Sequence, residues 1–160
     1  MTPLLRPATA ADIPLILELI RGLAGYENLL PECEATPARL RATLFPEGGA
    51  APGAYVVIAE ADGIPAGFAL YFFNYSTFLA KPGLYLEDLF VRPEFRRRGL
   101  GKALLLHLAR RANALGCGRM EWSVLDWNGP ALAFYEKIGA RRMREWQICR
   151  LTGPALARYA

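Results

Sequence analysis

One continuous stretch limits the folds open to this chain more than any other. It reads GLYLEDLFVRPEFRRRGLGKALLLHLARRANAL, from Gly83 to Leu115. An apolar strand runs into a basic, glycine-spaced turn and then into an amphipathic helix. Alternation along the strand puts Leu84, Leu86, Asp88 and Phe90 on one face, and Tyr85, Glu87, Leu89 and Val91 on the other. Both sets are mostly apolar, which predicts a central strand covered on both sides. A bulge would re-aim either carboxylate. Leu100, Leu104, Leu108 and Leu115 form the buried stripe of a helix from Gly99 to Leu115, with Lys102, Arg110, Arg111 and Asn113 on its polar side.

The remaining elements follow from local signals. Leu4-Leu5-Arg6 reads as a short opening strand. Ile13, Ile16, Leu17, Ile20 and Leu23 recur at helical spacing and predict a helix from Asp12 to Leu23, ended with the help of Gly22 and Gly25. Thr36-Pro37 is an N-cap followed by proline in the first turn, opening a helix to Phe45. AYVVIAEADGIPAGFALYFFNYS reads as two strands joined at Asp62-Gly63, a hairpin signature. RMEWSVL is a strand, Asn128 caps a helix that stops at Gly139, and ARRMREWQICRL closes the chain as a strand. The expected order is β-α-α-β-β-β-α-β-α-β around one sheet, an α/β arrangement in a single domain spanning residues 1–160.

Composition narrows the function. A net charge of +4 permits an anionic ligand without demanding nucleic acid. Cys33, Cys117 and Cys149 are odd in number and widely spaced, and His107 is the only histidine. That argues against a zinc site or disulfide framework and fits a reducing cytoplasm. His107, alone on an apolar helix, reads as structural. The longest uninterrupted apolar run, near Ala66–Phe73, is far short of the roughly 20 residues of a membrane helix, and Glu18 interrupts the N-terminal apolar segment, so no signal peptide is expected.

Three stretches carry chemistry, each with a structural alternative. The turn Arg96-Arg97-Arg98-Gly99-Leu100-Gly101-Lys102 opens a helix, whose first N–H groups lack internal partners and whose dipole is positive there. Glycines at 99 and 101 clear an anion's approach. A pyrophosphate suits this turn, although a solvated basic loop would read the same way. A Walker loop is excluded by Arg96 and Ala103, and a dinucleotide fingerprint by Leu104. Glu87 and Asp88 are adjacent carboxylates on a covered strand: either each meets an arginine, or one is a base or cation ligand with a raised pKa. Tyr135, on the helix after Asn128 with Ala131, Phe134 and Ile138, is either a core tyrosine or a phenol that protonates a departing thiolate.

Taken together, these stretches resemble the GNAT superfamily of acetyl-CoA-dependent N-acetyltransferases, over nearly the whole chain. Its pyrophosphate motif, Arg or Gln followed by two residues, Gly, one residue, and Gly or Ala, is matched by Arg96 to Gly101. RPATAADIPLILELIRGLAGYE, FALYFFNYSTF, LYLEDLFV and DWNGPALAFYEKIGA look like the diamine (spermidine/spermine) and thialysine acetyltransferases. The resemblance implies a mixed, mostly antiparallel sheet flanked by about four helices. It implies that the backbone of Leu89, Phe90 and Val91 holds the pantetheine arm. Arg96, Arg97, Arg98, Gly99, Leu100, Gly101 and Lys102 would hold the pyrophosphate, and Asn128, Pro130 and Ala131 would line the cofactor's far side. Tyr135 becomes the general acid, and Glu87 binds and deprotonates the amine, with Asp88 as alternate. Tyr26, Glu27, Glu121, Trp122 and Ser123 become the substrate mouth, and Glu145 a looser match to a substrate-binding acid. A homodimer is implied, with no metal, nucleic acid or membrane.

The chemistry agrees with those residue types. An alkyl amine with a pKa of about 10.4 must lose a proton before it attacks a thioester, and a nearby carboxylate accepts it. A backbone N–H near Leu89 is the expected donor to the developing oxyanion. Direct transfer in a ternary complex needs no cysteine nucleophile. An acidic mouth from Glu27, Glu32, Glu34, Glu87 and Asp126 would keep a cationic substrate away from the basic turn. The alternatives are a GNAT enzyme for another amine, such as an aminoglycoside-like compound or a protein N-terminus, a non-catalytic coenzyme A sensor, and a polyanion- or RNA-binding module.

Overall fold

The computed structural model describes residues 3–160. The chain divides into two compact units, one ending at Ser123 and the other running from Val124 to Ala160. In the first unit, strand β1 (Leu4–Pro7) leads through a 3-10 turn (Ala10–Asp12) into helix α1 (Ile13–Tyr26). Helix α2 (Pro37–Leu44), strands β2 (Tyr55–Ala61), β3 (Ile64–Ser76) and β4 (Lys81–Val91), helix α3 (Leu100–Ala114) and strand β5 (Arg119–Trp122) follow. The sheet order is β1-β2-β3-β4-β5, antiparallel except for the parallel β4–β5 pair.

Local signals act as expected at several points. Thr36 Oγ1 accepts from the Arg39 N–H at 3.2 Å and caps α2. Asp62 (φ 54°) and Gly63 (φ 75°) form the two-residue β2–β3 turn with both central residues at positive φ, the type I′ conformation that Asp-Gly favours. Arg6 forks onto Asp12 at 2.8 and 2.9 Å and donates to Glu60 at 2.7 Å, tying β1 to β2 and to the start of α1. That fork holds the Asp12 carboxyl well below the ordinary carboxylate range.

The sheet is covered on both sides. Ile13, Ile16, Leu17 and Leu19 of α1, with Leu40 and Leu44 of α2, pack on Val56, Ile58, Phe68 and Phe90. Leu100, Leu104, Leu105, Leu108 and Ala112 of α3 are buried on the other face. Gly22 lies inside α1, not at its end: a Cβ there would sit 2.9 Å from the Phe90 ring. The glycine thus serves helix-to-strand approach, and α1 continues to Tyr26, beyond the expected stop at Leu23.

Four further expectations need correction. The strand residues Leu84, Leu86, Asp88 and Phe90 do not share a face. Leu70 pairs with Asp88 but Tyr71 pairs with Leu86, so Glu87 is an extra residue that reverses the alternation. Strand β5 stops at Trp122 instead of reaching Leu125, because its partner β4 loses regular register just past Leu86. Leu115 is 51% exposed, since α3 ends before it. ARRMREWQICRL forms no strand. Met143, Trp146, Ile148 and Leu151 are all more than half exposed, so the alternating apolar residues do not form a buried strand face. The second unit instead holds helices α4 (Gly129–Lys137) and α5 (Gly153–Ala157).

Two glycine substitutions test this packing. A Cβ at Gly67 would lie 2.5 Å from the Phe90 carbonyl oxygen and 3.1 Å from the Val91 Cα, whereas one at Gly25 meets nothing within 4 Å. Gly67→Ala is expected to cost about 1–3 kcal/mol by overpacking β3 on β4. Gly25→Ala is expected to stabilise α1 by about 0.5–1 kcal/mol. Urea melts of both variants give the order; equal stabilities would contradict the packing described.

Candidate active site

The extra residue at Glu87 organises the site. On its C-terminal side, Asp88 and Phe90 turn toward the α1 layer, while Leu89 and Val91 turn toward α3. Gly101 lies on that second side: a Cβ on it would be 3.6 Å from Leu89 Cδ2 and 3.9 Å from Val91 Cγ2. On its N-terminal side, the faces exchange. Tyr85 packs on Phe72 with tilted rings, centroids 5.1 Å apart, on the same face as Leu70 and Asp88. Pairing with β5 ends at Leu86 and Trp122. From Glu87 to Val91, β4 therefore has its β5-side edge without a strand partner among the described residues.

That strand then delivers the chain to the mouth of α3. Gly99 is the N-cap, left-handed at φ 80°, and contributes no side-chain cap. Nothing lies within 4 Å of where its Cβ would be. Arg97, at φ 62°, is a second left-handed residue in the same turn. A hollow of about 340 Å³, lined by Pro3, Ala61, Arg98 and Leu100, lies beside the helix start. Arg97, Arg98 and Lys102, in the same turn and the first turn of the helix, are exposed. An open, side-chain-free helix N-terminus ringed by cations fits a diphosphate.

Arg96 is placed differently from its neighbours. Its guanidinium lies 4.6 Å from the Tyr26 ring centroid and 5.6 Å from that of Phe90, and its Nε donates to the Val91 carbonyl at 3.0 Å. It bridges the end of α1 to the end of β4. Arg98 stacks on Phe95 at 5.3 Å.

The acidic side of the site gathers Glu27, Glu87 and Asp88. Glu87 is exposed on the bulge, and Asp88 is half-buried. Burial first, then the charges of Glu87 and Glu27, push the Asp88 carboxyl from its ordinary 3.8 up to about 6. Among the described residues, no arginine forms an ion pair with Glu87 or Asp88. Tyr26 and Glu27 stand at the C-terminal end of α1. Glu121 and Ser123 lie on the same sheet face as Asp88, with Ser123 Oγ 2.7 Å from the Tyr85 hydroxyl. Trp122 points to the opposite face, toward α3. Of the other carboxylates considered for the mouth, Glu34 is paired with Arg39 at 2.7 Å.

Asn128, Pro130, Ala131, Tyr135 and Glu145 belong to the second unit, as does Asp126. Asn128 Oδ1 accepts from the Ala131 N–H at 3.3 Å and caps α4, as expected, with Pro130 in the first turn. Tyr135 is half-buried, with its ring 5.6 Å from that of Phe134, and burial raises its phenol above the ordinary range. It stays protonated at neutral pH. Glu145 lies in an exposed turn. Cys33 and Cys117 are half-buried, Cys149 is exposed, and none is in a disulfide. His107 is half-buried, and burial with Arg111 and Arg110 lowers its pKa. The sequence reading missed Phe72, Asn74 and Arg119, which need the strand register to be seen as neighbours.

The raised Asp88 carboxyl has a stability consequence. Its proton is held more tightly in the folded state, so the ionised form destabilises the fold above about pH 6. That cost fades as pH falls and is gone below the ordinary value of 3.8. Asp88→Asn is therefore expected to stabilise the protein at pH 8 by about 1–2 kcal/mol, after allowance for solvent screening, and not at pH 4. Thermal melts across that range check this; a pH-independent difference would contradict the assignment.

Comparison with known proteins identifies the family. The family model for the acetyltransferase (GNAT) family matches residues 24–140. The L-ornithine N5-acetyltransferase NATA1 of Arabidopsis thaliana is 37% identical, covering 95% of this chain and 85% of its own length. A thialysine N-epsilon-acetyltransferase of Bos taurus is 36% identical, covering 98% of this chain and 96% of its own length. Among solved structures, integron cassette protein VCH_CASS6 from the mobile metagenome of V. cholerae superimposes with a TM-score of 0.78 at 26% identity, covering 99% of this chain and 98% of that one. With a family model matched over most of its length and relatives more than 30% identical from end to end, the chain belongs to the GNAT family of acetyltransferases.

Proposed function

We propose that this chain is an acetyl-CoA-dependent N-acetyltransferase that acetylates a primary amine of a small amine, a diamine, polyamine or thialysine-like compound, by direct attack in a ternary complex. One observation carries the reading: among the described residues, β4 is without a strand partner on its β5 side from Glu87 onward, and it runs into the open mouth of α3. The same strand offers carboxylates to an amine and an open edge to an acyl carrier. The named relatives act on ornithine and thialysine, both small amines.

When bound, acetyl-CoA supplies the thioester whose acyl carbon the amine attacks and whose sulfur departs. The protein's part is binding, orientation and proton transfer. The backbone of Leu89, Phe90 and Val91 pairs with the pantetheine arm, and backbone N–H groups from Gly99 to Lys102 hold the pyrophosphate, with Arg97, Arg98 and Lys102 attracting it. Asp88, with Glu27, binds the substrate ammonium. Glu87, exposed on the bulge, accepts the amine proton directly or through water. The Leu89 N–H donates to the acyl oxygen as charge develops there. Tyr135, kept protonated by burial, supplies the proton that the sulfur needs. The chain is read as a single acetyltransferase domain, and Asn128, Pro130 and Ala131 as further cofactor-binding residues. The resemblance implies a homodimer, and the unpaired cysteines fit a reducing cytoplasm. No helix is long and apolar enough to cross a membrane among the described residues.

A thiol-release assay with acetyl-CoA across a panel of small amines, with mass detection of product, tests the reading. Acetylated amine is expected; coenzyme A release with no amine product, or no release at all, would contradict it. Tyr135→Phe is expected to lower kcat about 100-fold or more with acetyl-CoA affinity nearly unchanged. Wild-type turnover would remove the assigned acid. Glu87→Gln is expected to reduce the rate most at low pH, where the amine holds its proton most firmly, and an unchanged pH profile would remove the assigned base.

A further inference from the structure

Glu18, Gly22 and Tyr26 stand four residues apart and form one line along α1, which meets the exit of β4. Glu18 Oε1 is 3.0 Å from Arg92 Nη2. Gly22 lets the Phe90 ring close on the helix, since a Cβ there would be 2.9 Å from its Cε1 atom. Tyr26 meets the Arg96 guanidinium, which lies 4.6 Å from its ring centroid. That guanidinium is also 5.6 Å from the Phe90 centroid, and its Nε donates to the Val91 carbonyl at 3.0 Å. Arg96 thus completes a line of three contacts: an ion pair, a glycine against a ring, and a cation over two rings.

The Val91 carbonyl belongs to the open edge of β4. The Arg92 N–H donates to the Ala66 carbonyl at 2.9 Å, so the backbone groups of Arg92 turn toward β3. Alternation turns those of Val91 and Leu89 the other way, to the β5 side. β4 has no strand partner there among the described residues. Val91 supplies the last carbonyl of that edge, and Arg96 engages it. The same guanidinium rests on Tyr26, the residue before Glu27, whose charge acts on Asp88. Arg98, two residues further on, lies instead over Phe95 at 5.3 Å.

We propose that Arg96 is a positioning residue and not a phosphate ligand. It fixes Val91, at the end of the edge that takes the acyl carrier, against Tyr26, at the end of the helix that takes the amine, and so sets the distance between the two substrates. This differs from the pyrophosphate role that the resemblance implies for Arg96, and it rests on the acetyltransferase reading of the site. The two roles have different consequences. A phosphate ligand acts on one substrate, through a charge that salt screens. A brace between strand edge and helix end acts on both substrates, through geometry.

The test measures KM for acetyl-CoA, and for the small amine that wild type acetylates fastest, at several salt concentrations. Arg96→Gln is expected to raise both KM values about threefold to tenfold, as for a lost charged hydrogen bond and ring contact. It is expected to keep the wild-type slope of log KM for acetyl-CoA against log salt. Arg98→Gln is the contrast, expected to raise KM for acetyl-CoA alone and to flatten that slope. Arg96→Lys keeps the charge but not the planar fork, and covers the case in which Arg96→Gln does not fold: both KM values are expected to stay raised about threefold. A flattened slope in Arg96→Gln, or a wild-type KM for the amine in either Arg96 variant, would overturn the inference while leaving the acetyltransferase reading intact. No acetylated amine from wild type would overturn both.

Discussion

A single extra residue in β4 is the constraint on which the rest depends. Without it, Asp88 would continue the face of Leu84 and Leu86 and would be pressed against α3. With it, Asp88 and Phe90 turn toward α1, Leu89 and Val91 turn toward α3, and Glu87 is left exposed between them. The same irregularity ends pairing with β5 and opens an edge of the central strand. Bulges disrupt the ladder locally and bend the strand, so they are common where a sheet must present chemistry. Here one insertion sets two chemically different surfaces a few residues apart along the backbone.

In the proposed reaction, that separation also resolves a charge conflict. A chain that binds both an anionic acyl carrier and a cationic amine must keep its own cations away from the second. Arg97, Arg98 and Lys102 ring the start of α3, on one side of the sheet, whereas Asp88 and its acidic neighbours stand on the α1 side. Arg96, the residue nearest to crossing over, is engaged by the faces of Tyr26 and Phe90 and by the Val91 carbonyl. It braces the turn against α1. The three adjacent arginines, alike in sequence, thus do unlike things once the turn around Arg97 and Gly99 directs their side chains.

Much of this was legible in the residues. The Asp62-Gly63 turn, the Thr36 and Asn128 caps, the amphipathic run of α3 and the strand before it each depend on interactions among near neighbours, and each is found where expected. The readings that failed depend on distant partners. ARRMREWQICRL alternates like a strand, but an alternating segment is a strand only if another strand lies beside it. Gly22 looked like a helix end because its role, contact with Phe90, is invisible along the chain. The face of Asp88 needed the register between β3 and β4. The Arg119–Glu121–Asn74 cluster needed three strands in order, since its members are separated by as many as 47 positions. Capping and patterning are local physics; register and convergence of polar groups are not.

The central claim is that amine and acyl carrier occupy separate places along one strand and are present together when the acetyl group moves. Initial rates measured over a grid of both substrate concentrations address it most directly. Double-reciprocal lines that intersect are the expected result, because each substrate binds without the other having left. Parallel lines, the signature of an acetylated protein formed between two half-reactions, would contradict it.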